Sequence, residues 1–284
     1  MKEARYYIQK GDRVTCTLCP HHCNLKESEI GKCQVKQNLQ GKLMALNYGK
    51  VAAIQIDLME KKPLYHFMPG TRTLSIGSIG CNFTCSFCQN HHIAHAKDFA
   101  GTTEDYTPHD IVQLAKLYQT PSISFTYNEP STFYEFVYDT ATLAHQEDIK
   151  NILVTNGYLE EEPLIQLLPY IDAMNVDLKT FRNENYQTIC GGLLEPVKRT
   201  IMLAAQMCHV EITTLIVTNM NDQEEELREL VDWIAEVNPN IPLHLSRYFP
   251  QYQYHEQATD VDFMYRMQDM AKQQLKYVHL GNVY

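Results

Sequence analysis

The amino-acid sequence predicts an α/β fold in which helices connect a parallel sheet, preceded by a small cysteine-containing N-terminal module. Short apolar segments rich in β-branched residues alternate with amphipathic segments along most of the chain, which is typical of strands joined by helical crossovers. Six such strand–helix repeats begin at residue 73, two fewer than in a closed barrel of eight. A chain of 284 residues is long enough for one such domain and a small module.

Each predicted strand is a short apolar run, and all except the first lead directly into a helix-like segment. The strands are predicted at residues 73–77, 122–126, 151–155, 173–178, 210–217 and 242–246. The helices are predicted at residues 131–146, 160–168, 224–236 and 261–275, with a further long helical region ending near Cys208.

Upstream of this sheet, residues 43–48 and 51–57 have the pattern of a hairpin or a pair of strands. The sequence therefore divides into three parts. We predict the cysteine-containing module at residues 1–42, the hairpin and a connector at 43–72, and the barrel at 73–284.

The composition excludes several classes of protein. Lys and Arg number 24 against 34 Asp and Glu, for a formal net charge of −10, which argues against non-specific binding to nucleic acid or to an anionic membrane. The first residues lack the apolar core of a signal peptide, and no run approaches the length of a membrane span. With nine cysteines and no secretion signal, we expect a cytoplasmic protein whose cysteines bind metal instead of forming disulfides.

A loop after the first predicted strand carries Cys81, Cys85 and Cys88 with the spacing C-x3-C-x2-C. Thiolates select soft metals and iron–sulfur clusters. A structural zinc site normally has four protein ligands, whereas three cysteines on a cubic cluster leave one iron free to bind another molecule. The alternatives are a zinc site completed by His91 or His92, or three unrelated buried cysteines.

A second cysteine group lies near the start of the chain. It could form a tetrahedral zinc site or hold a second iron–sulfur cluster, and the alternative is a set of reduced structural thiols. Two adjacent histidines, His21 and His22, are further candidate ligands. The isolated Cys190 and Cys208 are predicted to be ordinary buried residues. The four cysteines of the group are Cys16, Cys19, Cys23 and Cys33.

Polar residues follow several of the predicted strands. In parallel barrels the active site forms at the carboxyl ends of the strands, although a single Asp or Asn there is often a turn former or a helix cap. The candidates arrive together beside the cysteine loop, which favours a binding role. They are Asn128, Glu129, Asn156, Asp177, Lys179, His244 and Arg247.

The cysteine spacing, with Phe87 directly before the last cysteine, resembles the radical S-adenosylmethionine (SAM) superfamily. The resemblance implies a partial (β/α)6 barrel and a [4Fe–4S] cluster held by Cys81, Cys85 and Cys88, with SAM chelated to the open iron. It also implies that one electron, from a reductant such as flavodoxin or ferredoxin, cleaves SAM. The 5′-deoxyadenosyl radical formed then abstracts hydrogen from a substrate, while the protein supplies position and electrostatics.

The order of the motifs between residues 73 and 250 is similar to that of pyruvate formate-lyase-activating enzymes. This resemblance implies that Asn128 and Glu129 lie near the SAM amino group. The chain departs from the pattern in two places, since Tyr127-Asn128-Glu129 stands where those enzymes carry Gly-Gly-Glu, and Val154 stands where they carry an acidic residue. The residues implied to line the nucleoside and methionine side of SAM are Asn156, Asp177, Lys179 and His244.

Similarity to the radical SAM component of the AmmeMemoRadiSam system spans nearly the whole chain. It includes the N-terminal Leu18-Cys19-Pro20 segment, residues 60–67, residues 176–179 and residues 247–250. The name of that system describes its genetic context and identifies no substrate.

Three functions are compatible with these features. We expect a radical SAM enzyme that acts on a partner protein, as activating enzymes do when they abstract hydrogen from a glycine. The second hypothesis is a radical SAM enzyme that acts on a small molecule, and the third is a non-catalytic zinc-binding scaffold. Under the second hypothesis four aromatic residues would lie near the substrate, although they could equally be packing residues: Tyr248, Phe249, Tyr252 and Tyr254.

Overall fold

The computed structural model describes residues 1–96 and 101–283. The chain before residue 53 consists of short antiparallel strands in small sheets. One sheet contains β2, β3 and β4, and another contains β1, β6 and β5. The strands are β1 (Lys2–Glu3), β2 (Tyr7–Lys10), β3 (Arg13–Cys16), β4 (Asn24–Leu25), β5 (Lys36–Leu39), β6 (Lys42–Ala45) and β7 (Lys50–Val51).

The rest of the chain builds an eight-stranded main sheet. Its strands, together with the outlying β10, are β8 (Ala53–Leu58), β9 (Arg72–Gly77), β10 (Glu104–Asp105), β11 (Ser122–Phe125), β12 (Lys150–Thr155), β13 (Ala173–Asp177), β14 (His209–Ile216), β15 (Leu243–Arg247) and β16 (Val278–Gly281). The order is β16-β15-β14-β13-β12-β11-β9-β8, and β10 pairs with β7 instead. Only β8 is antiparallel to its neighbour in this described sheet. Because β8 and β16 are edges that do not pair with each other, the described sheet is open and is not a closed barrel.

Helices connect the parallel strands of the main sheet. They are α1 (His91–Ala94), α2 (Pro108–Leu117), α3 (Tyr134–Gln146), α4 (Glu161–Leu167), α5 (Asn183–Asn185), α6 (Leu194–Ala204), α7 (Glu224–Val237) and α8 (Val261–Ala271). Shorter helical turns cover Met59–Lys61, Pro130–Phe133, Leu168–Tyr170 and Tyr186–Cys190. Among the described residues, none of the helices has both the length and the apolar character needed to cross a membrane.

The structure confirms the predicted fold class, with a cysteine-containing strand-rich N-terminal region and a partial barrel of strand–helix repeats. All six predicted strands are present in the parallel sheet. Parallel strands are covered on both faces and therefore appear as continuous apolar runs, and every residue of β11 is buried. The seventh parallel strand, β16, was not predicted, because it is short and only Val278 of its four residues is buried.

Two local predictions are wrong. Residues 43–48 and 51–57 do not form a hairpin, since β6 pairs with β5 and β1 while β8 pairs with β9. The exposed edge of β9 offers β8 a six-residue antiparallel ladder, which no local pattern reports. The long helical region before Cys208 is interrupted at Gly191 and Gly192, where α6 begins only two residues later. Strand β6 crosses the predicted boundary at residue 42, and the three-part division of the chain stays a prediction.

Gly157, which follows β12, is packed closely against the neighbouring strand β13. Its φ is +69°, and a Cβ atom there would lie 2.9 Å from Cγ1 of Val176 on β13. Gly70 has a similar φ of +76° but no heavy atom within 4 Å of such a Cβ. We expect Gly70→Ala to lower the free energy of unfolding by about 1–2 kcal/mol through backbone strain alone. Gly157→Ala should lower it further in urea unfolding, and equal losses would contradict the proposed close packing.

Candidate active site

The predicted cysteine loop lies at the edge of the sheet where the carboxyl ends of the parallel strands meet. Asn128, after β11, holds the start of this loop. Its side-chain oxygen accepts the backbone N–H of Ser78 at 2.9 Å, and its side-chain nitrogen donates to the carbonyl of Gly80 at 2.9 Å. Asn128 is therefore placed beside the cysteines as predicted, but its amide binds the backbone of the loop.

The sulfur of Cys81 receives hydrogen bonds from two directions. The backbone N–H of Phe83 donates at 3.3 Å, and the side-chain amide of Asn156 donates at 3.7 Å. Burial and the nearby Glu129 carboxylate raise the pKa of the Cys81 thiol well above its usual value. These donors stabilise negative charge on sulfur, as a ligating thiolate requires.

Glu129 is the most enclosed of the predicted site residues, with 2 % of its surface exposed. Its carboxylate accepts hydrogen bonds from the Thr155 hydroxyl at 2.7 Å, the Asn156 N–H at 2.7 Å and the Ser131 N–H at 2.9 Å. Burial raises the pKa of this carboxyl, and the hydrogen bonds oppose that rise. A carboxylate offers about four acceptor sites, so one remains after these three contacts.

Asn156 joins the end of β12 to the cysteine loop. Besides contacting Cys81, its amide donates to the side-chain oxygen of Asn82 at 2.8 Å, and its oxygen accepts the N–H of Tyr158 at 2.9 Å. Asn82 in turn donates to the Tyr158 carbonyl at 2.8 Å. The structure therefore brings Asn128, Glu129 and Asn156 together around Cys81.

Asp177 and Lys179, after β13, form an ion pair with a nitrogen–oxygen distance of 3.1 Å. Burial alone would lower the pKa of Lys179, but Asp177 and the thiols of Cys85 and Cys190 hold it well above its usual value. The lysine therefore stays protonated near the sulfurs, while the Asp177 side chain is 37 % exposed and accessible to a ligand.

Phe87 is buried beneath the segment that follows β15. Its ring lies 6.4 Å from that of Tyr254, and the backbone N–H of Gln253 donates to the carbonyl of Ser86 at 2.9 Å. Farther along the loop, the ring of Tyr252 stacks on His91 at 4.4 Å. Phe87 thus anchors a segment that covers one side of the cysteine loop.

Of the other aromatic residues in this segment, Tyr248 is buried and donates to the Tyr254 carbonyl at 2.7 Å, which is a packing role. Phe249 is 38 % exposed and lies against the Arg247 guanidinium at 4.8 Å. Arg247 also donates to the carbonyl of Thr259 at 2.8 Å. Arg247, Phe249 and Tyr252 are therefore exposed or half-exposed residues of the segment that reaches the cysteine loop through Tyr252 and Gln253, and we call these three residues the rim.

Cys190 is a neighbour of the site that sequence reasoning treated as ordinary. It is fully buried, as predicted, but its thiol contacts Cys85 and lowers the pKa of the Cys85 thiol. The backbone N–H of Thr84 also donates to the Cys190 carbonyl at 2.8 Å. In the sequence, the adjacent glycines Gly191 and Gly192 were the feature that could have indicated this close packing, because a Cβ at Gly191 would lie 2.6 Å from the Thr84 hydroxyl.

His244 is the predicted residue that the structure does not bring to this group. Its Nε2 lies 2.6 Å from the buried Glu211 carboxylate, and its ring packs on Tyr65 with 4.7 Å between centroids. The backbone N–H groups of Tyr65 and His66 donate to the same carboxylate at 3.1 and 2.7 Å. In the described part of the chain His244 thus belongs to a network around the connector, and its contact with the nucleoside of SAM stays a prediction.

The N-terminal cysteines lie together in one cavity, which they line with His21 and Asn82. His21 donates from Nε2 to the Asn82 carbonyl at 2.7 Å, while His22 lies 3.0 Å from Glu160. Among residues 1–96 and 101–283, no three His, Cys, Asp or Glu side chains converge closely enough to hold a single metal ion. The cysteines in the cavity are Cys16, Cys19, Cys23 and Cys33.

Comparison with known families agrees with the geometry of the cysteine loop. The model of the radical SAM superfamily matches residues 75–234. The chain belongs to this superfamily. Radical SAM proteins carry a [4Fe–4S] cluster, and the three thiols of the loop fit it, because thiolates are the ligands of such clusters.

One relative is an uncharacterised protein of Methanocaldococcus jannaschii, MJ0808, which is 41% identical over 288 residues, covering 100% of this chain and 86% of MJ0808. Another uncharacterised protein of that organism, MJ0674, is 24% identical over 197 residues, covering 67% of this chain and 52% of MJ0674. Neither name identifies a reaction.

Solved structures share the radical SAM fold. A domain of a pyruvate-formate lyase-activating enzyme from Bacteroides vulgatus has a TM-score of 0.50 at 18% identity, over 56% of this chain and 98% of the domain. Streptococcus suis SuiB bound to S-adenosylmethionine has a TM-score of 0.57 at 16% identity, over 72% of this chain and 48% of SuiB. At these identities the likeness concerns the fold alone.

The Glu211 network predicts a measurable effect of acid. Burial would raise the pKa of Glu211, but hydrogen bonds from His209, His244 and the connector lower it from 4.5 to about 2. A carboxyl whose pKa is lower in the folded than in the unfolded state stabilises the fold at pH values above its unfolded pKa. This stabilisation is lost as the pH falls from 4.5 towards 2. We expect Glu211→Gln to lower the free energy of unfolding at pH 7 by about 3 kcal/mol.

The same variant should show a flatter dependence of stability on pH between 4.5 and 2, measured by urea unfolding at each pH. The matched control is Glu236→Gln on α7, at an exposed position. A parallel pH dependence of Glu211→Gln and wild type would contradict the network.

Proposed function

We propose that this protein is a radical SAM enzyme that abstracts hydrogen from a partner protein, as glycyl-radical activating enzymes do. Bound at Cys81, Cys85 and Cys88, the [4Fe–4S] cluster would supply the electron that splits SAM into methionine and a 5′-deoxyadenosyl radical. The electron donor would be a flavodoxin or ferredoxin. The residues around the loop supply position and charge for these partners.

Glu129 is proposed to receive the SAM amino group. Its carboxylate has one acceptor site left after the hydrogen bonds from Thr155, Asn156 and Ser131. An ammonium group placed there would offset the cost of keeping this buried carboxylate charged. Asn128 contributes indirectly, since it fixes the backbone of the cysteine loop.

Lys179 and Asp177 are proposed to serve the rest of SAM. The protonated lysine can meet the carboxylate of the methionine part, and the exposed side of Asp177 can accept hydrogen bonds from ribose hydroxyls. The two side chains already hold each other 3.1 Å apart. Each side chain of this ion pair can form an additional contact with SAM while the other still pairs its charge, so no buried charge is left unpaired.

The composition of the rim is the observation that favours a protein substrate. Tyr252 packs on His91 next to the cysteine loop, and Arg247 and Phe249 precede it in the same segment, where Phe249 is more than one-third exposed. Aromatic and arginine side chains are enriched at protein–protein interfaces and among their energetic hot spots. SuiB, which shares the fold over 72% of this chain, has been crystallised with its precursor peptide, so a peptide can bind a protein of this fold.

The assignment of Cys85 predicts a loss of chemistry on substitution. After anaerobic reconstitution and reduction with SAM, wild-type protein should release 5′-deoxyadenosine, and Cys85→Ala should release none, because the cluster loses one of its three thiolates. Cys208→Ala is the matched control, since Cys208 lies at the turn before β14, away from the loop. Undiminished release by Cys85→Ala would refute the ligand assignment.

The nature of the substrate is tested by isotope transfer. A candidate partner protein with deuterated glycine should transfer deuterium into 5′-deoxyadenosine. Tyr252→Ala should reduce this transfer while SAM cleavage without the partner is retained, because Tyr252 lies on the rim and not among the cluster ligands. Tyr265→Ala, 51 % exposed on α8, is the control.

Transfer of deuterium from a labelled small molecule, with none from any partner protein, would contradict the proposal and support the small-molecule alternative. Equal deuterium transfer by Tyr252→Ala and wild type would show that the rim does not contribute to binding the partner protein.

A further inference from the structure

We infer that the four N-terminal cysteines hold a second iron–sulfur cluster, which passes electrons to the cluster of the radical SAM site. The electron-transfer role rests on the proposed function, whereas the presence of the second cluster does not. The cysteines come from two separate segments, residues 16–23 and Cys33, and the fold brings them to one cavity.

A backbone N–H group reaches one of the sulfurs of this cavity. The N–H of Lys32 donates to the sulfur of Cys23 at 3.5 Å.

The same kind of contact occurs in the radical SAM loop, where the N–H of Phe83 donates to Cys81 at 3.3 Å. Sulfur accepts such bonds far better as a thiolate than as a thiol, and hydrogen bonds to sulfur set the potential of iron–sulfur clusters. The two cysteine groups therefore share a backbone design suited to ligating thiolates.

The placement of the sulfurs favours a cluster over a single zinc ion. A tetrahedral zinc would draw four thiolates to about 2.3 Å from one point. In the described residues neither cysteine group converges in this way, and the group in the radical SAM loop belongs to a family in which each cysteine binds a different iron. The four N-terminal cysteines line one cavity without such a convergence among the described residues.

The wall of the cavity carries polar groups that suit an anionic cluster. The Lys36 side chain is buried, pairs with Glu135, and lines the cavity together with the cysteines. Ser131, 7 % exposed, also lines the cavity. The Ser131 hydroxyl lies near the Glu129 carboxylate but makes no hydrogen bond of normal geometry to any described group. It is therefore available to a cluster sulfide.

The cavity adjoins the radical SAM loop directly. His21, in its wall, donates to the carbonyl of Asn82, the residue after Cys81. On the other side, a Cβ at Gly80 would lie 2.7 Å from the Cys33 carbonyl oxygen. Only a glycine allows this approach of the two cysteine-bearing segments, so the fold joins the two groups through short covalent and hydrogen-bonded paths.

The electron count of the relay is simple. A reduced flavin or iron–sulfur protein gives one electron to the oxidised N-terminal cluster and is itself oxidised. The reduced N-terminal cluster then gives that electron to the cluster on Cys81, Cys85 and Cys88 and returns to its oxidised form. SAM consumes the electron when its C–S bond breaks.

The test compares three anaerobically reconstituted proteins by iron, sulfide and zinc analysis and by electron paramagnetic resonance of the reduced state. Wild-type protein should contain about eight irons, and the double variant Cys19→Ser/Cys33→Ser about four. The triple variant Cys81→Ser/Cys85→Ser/Cys88→Ser should also contain about four. Cys208→Ser should match the wild type.

Addition of SAM should shift the resonance signal of the double variant and leave that of the triple variant unchanged, since only the radical SAM cluster has an open iron. A triple variant without iron, or with one zinc per chain, would overturn the second cluster. This variant leaves the N-terminal region intact, so the test holds even if the double variant fails to fold. If SAM shifts no signal while the triple variant keeps its iron, the proposed function fails and the second cluster stands.

The relay has its own readout. With reduced flavodoxin as the donor, the SAM-sensitive signal should appear more slowly in the double variant than in wild type. With dithionite, a small reductant that reaches either cluster, the two rates should be equal. Equal rates with flavodoxin as well would overturn the electron-transfer role.

Discussion

The buried carboxylate of Glu129 is the interaction on which the geometry of the site depends. Glu129 follows the end of β11, and its carboxylate accepts hydrogen bonds from two residues at the end of β12, Thr155 and Asn156. Hydrogen bonds to a charged group contribute about 1.5–3 kcal/mol each, whereas an unpaired buried carboxylate would be strongly unfavourable. Because Asn156 continues this network to Cys81, the position of the first cysteine follows from the packing of two strands behind it.

The same network gives the N-terminal region a share in the site. The side-chain oxygen of Asn82 accepts a hydrogen bond from Asn156, and its backbone carbonyl accepts one from His21. The segment between β3 and β4 therefore contacts the cysteine loop directly through His21. A shift of this segment would move Asn82, and with it the residue that carries the first sulfur.

Sequence patterns predicted the parts of this protein that are locally encoded. The six strands appear as apolar runs, and the spacing of the three cysteines identifies their loop. Pairing across long distances had no such signature, so the partner of β8, the strand β16 and the contact of Cys190 with Cys85 were missed. Residue type at a strand end also left the direction of the side chain open. Glu129 and His244 were grouped from the sequence, yet the first lies against β12 and the second against Glu211.

Charge is arranged in the same way around both cysteine groups, although the chain as a whole carries a net charge of −10. Lys179 lies near Cys85 and pairs with Asp177, while Lys36 lies near Cys16 and Cys33 and pairs with Glu135. A lysine beside ligating thiolates would offset their negative charge, and a carboxylate paired with that lysine limits the cost of burying its charge. A structural thiol needs neither, since it is neutral at physiological pH. The repetition of this arrangement at the second group therefore favours ligating thiolates there too.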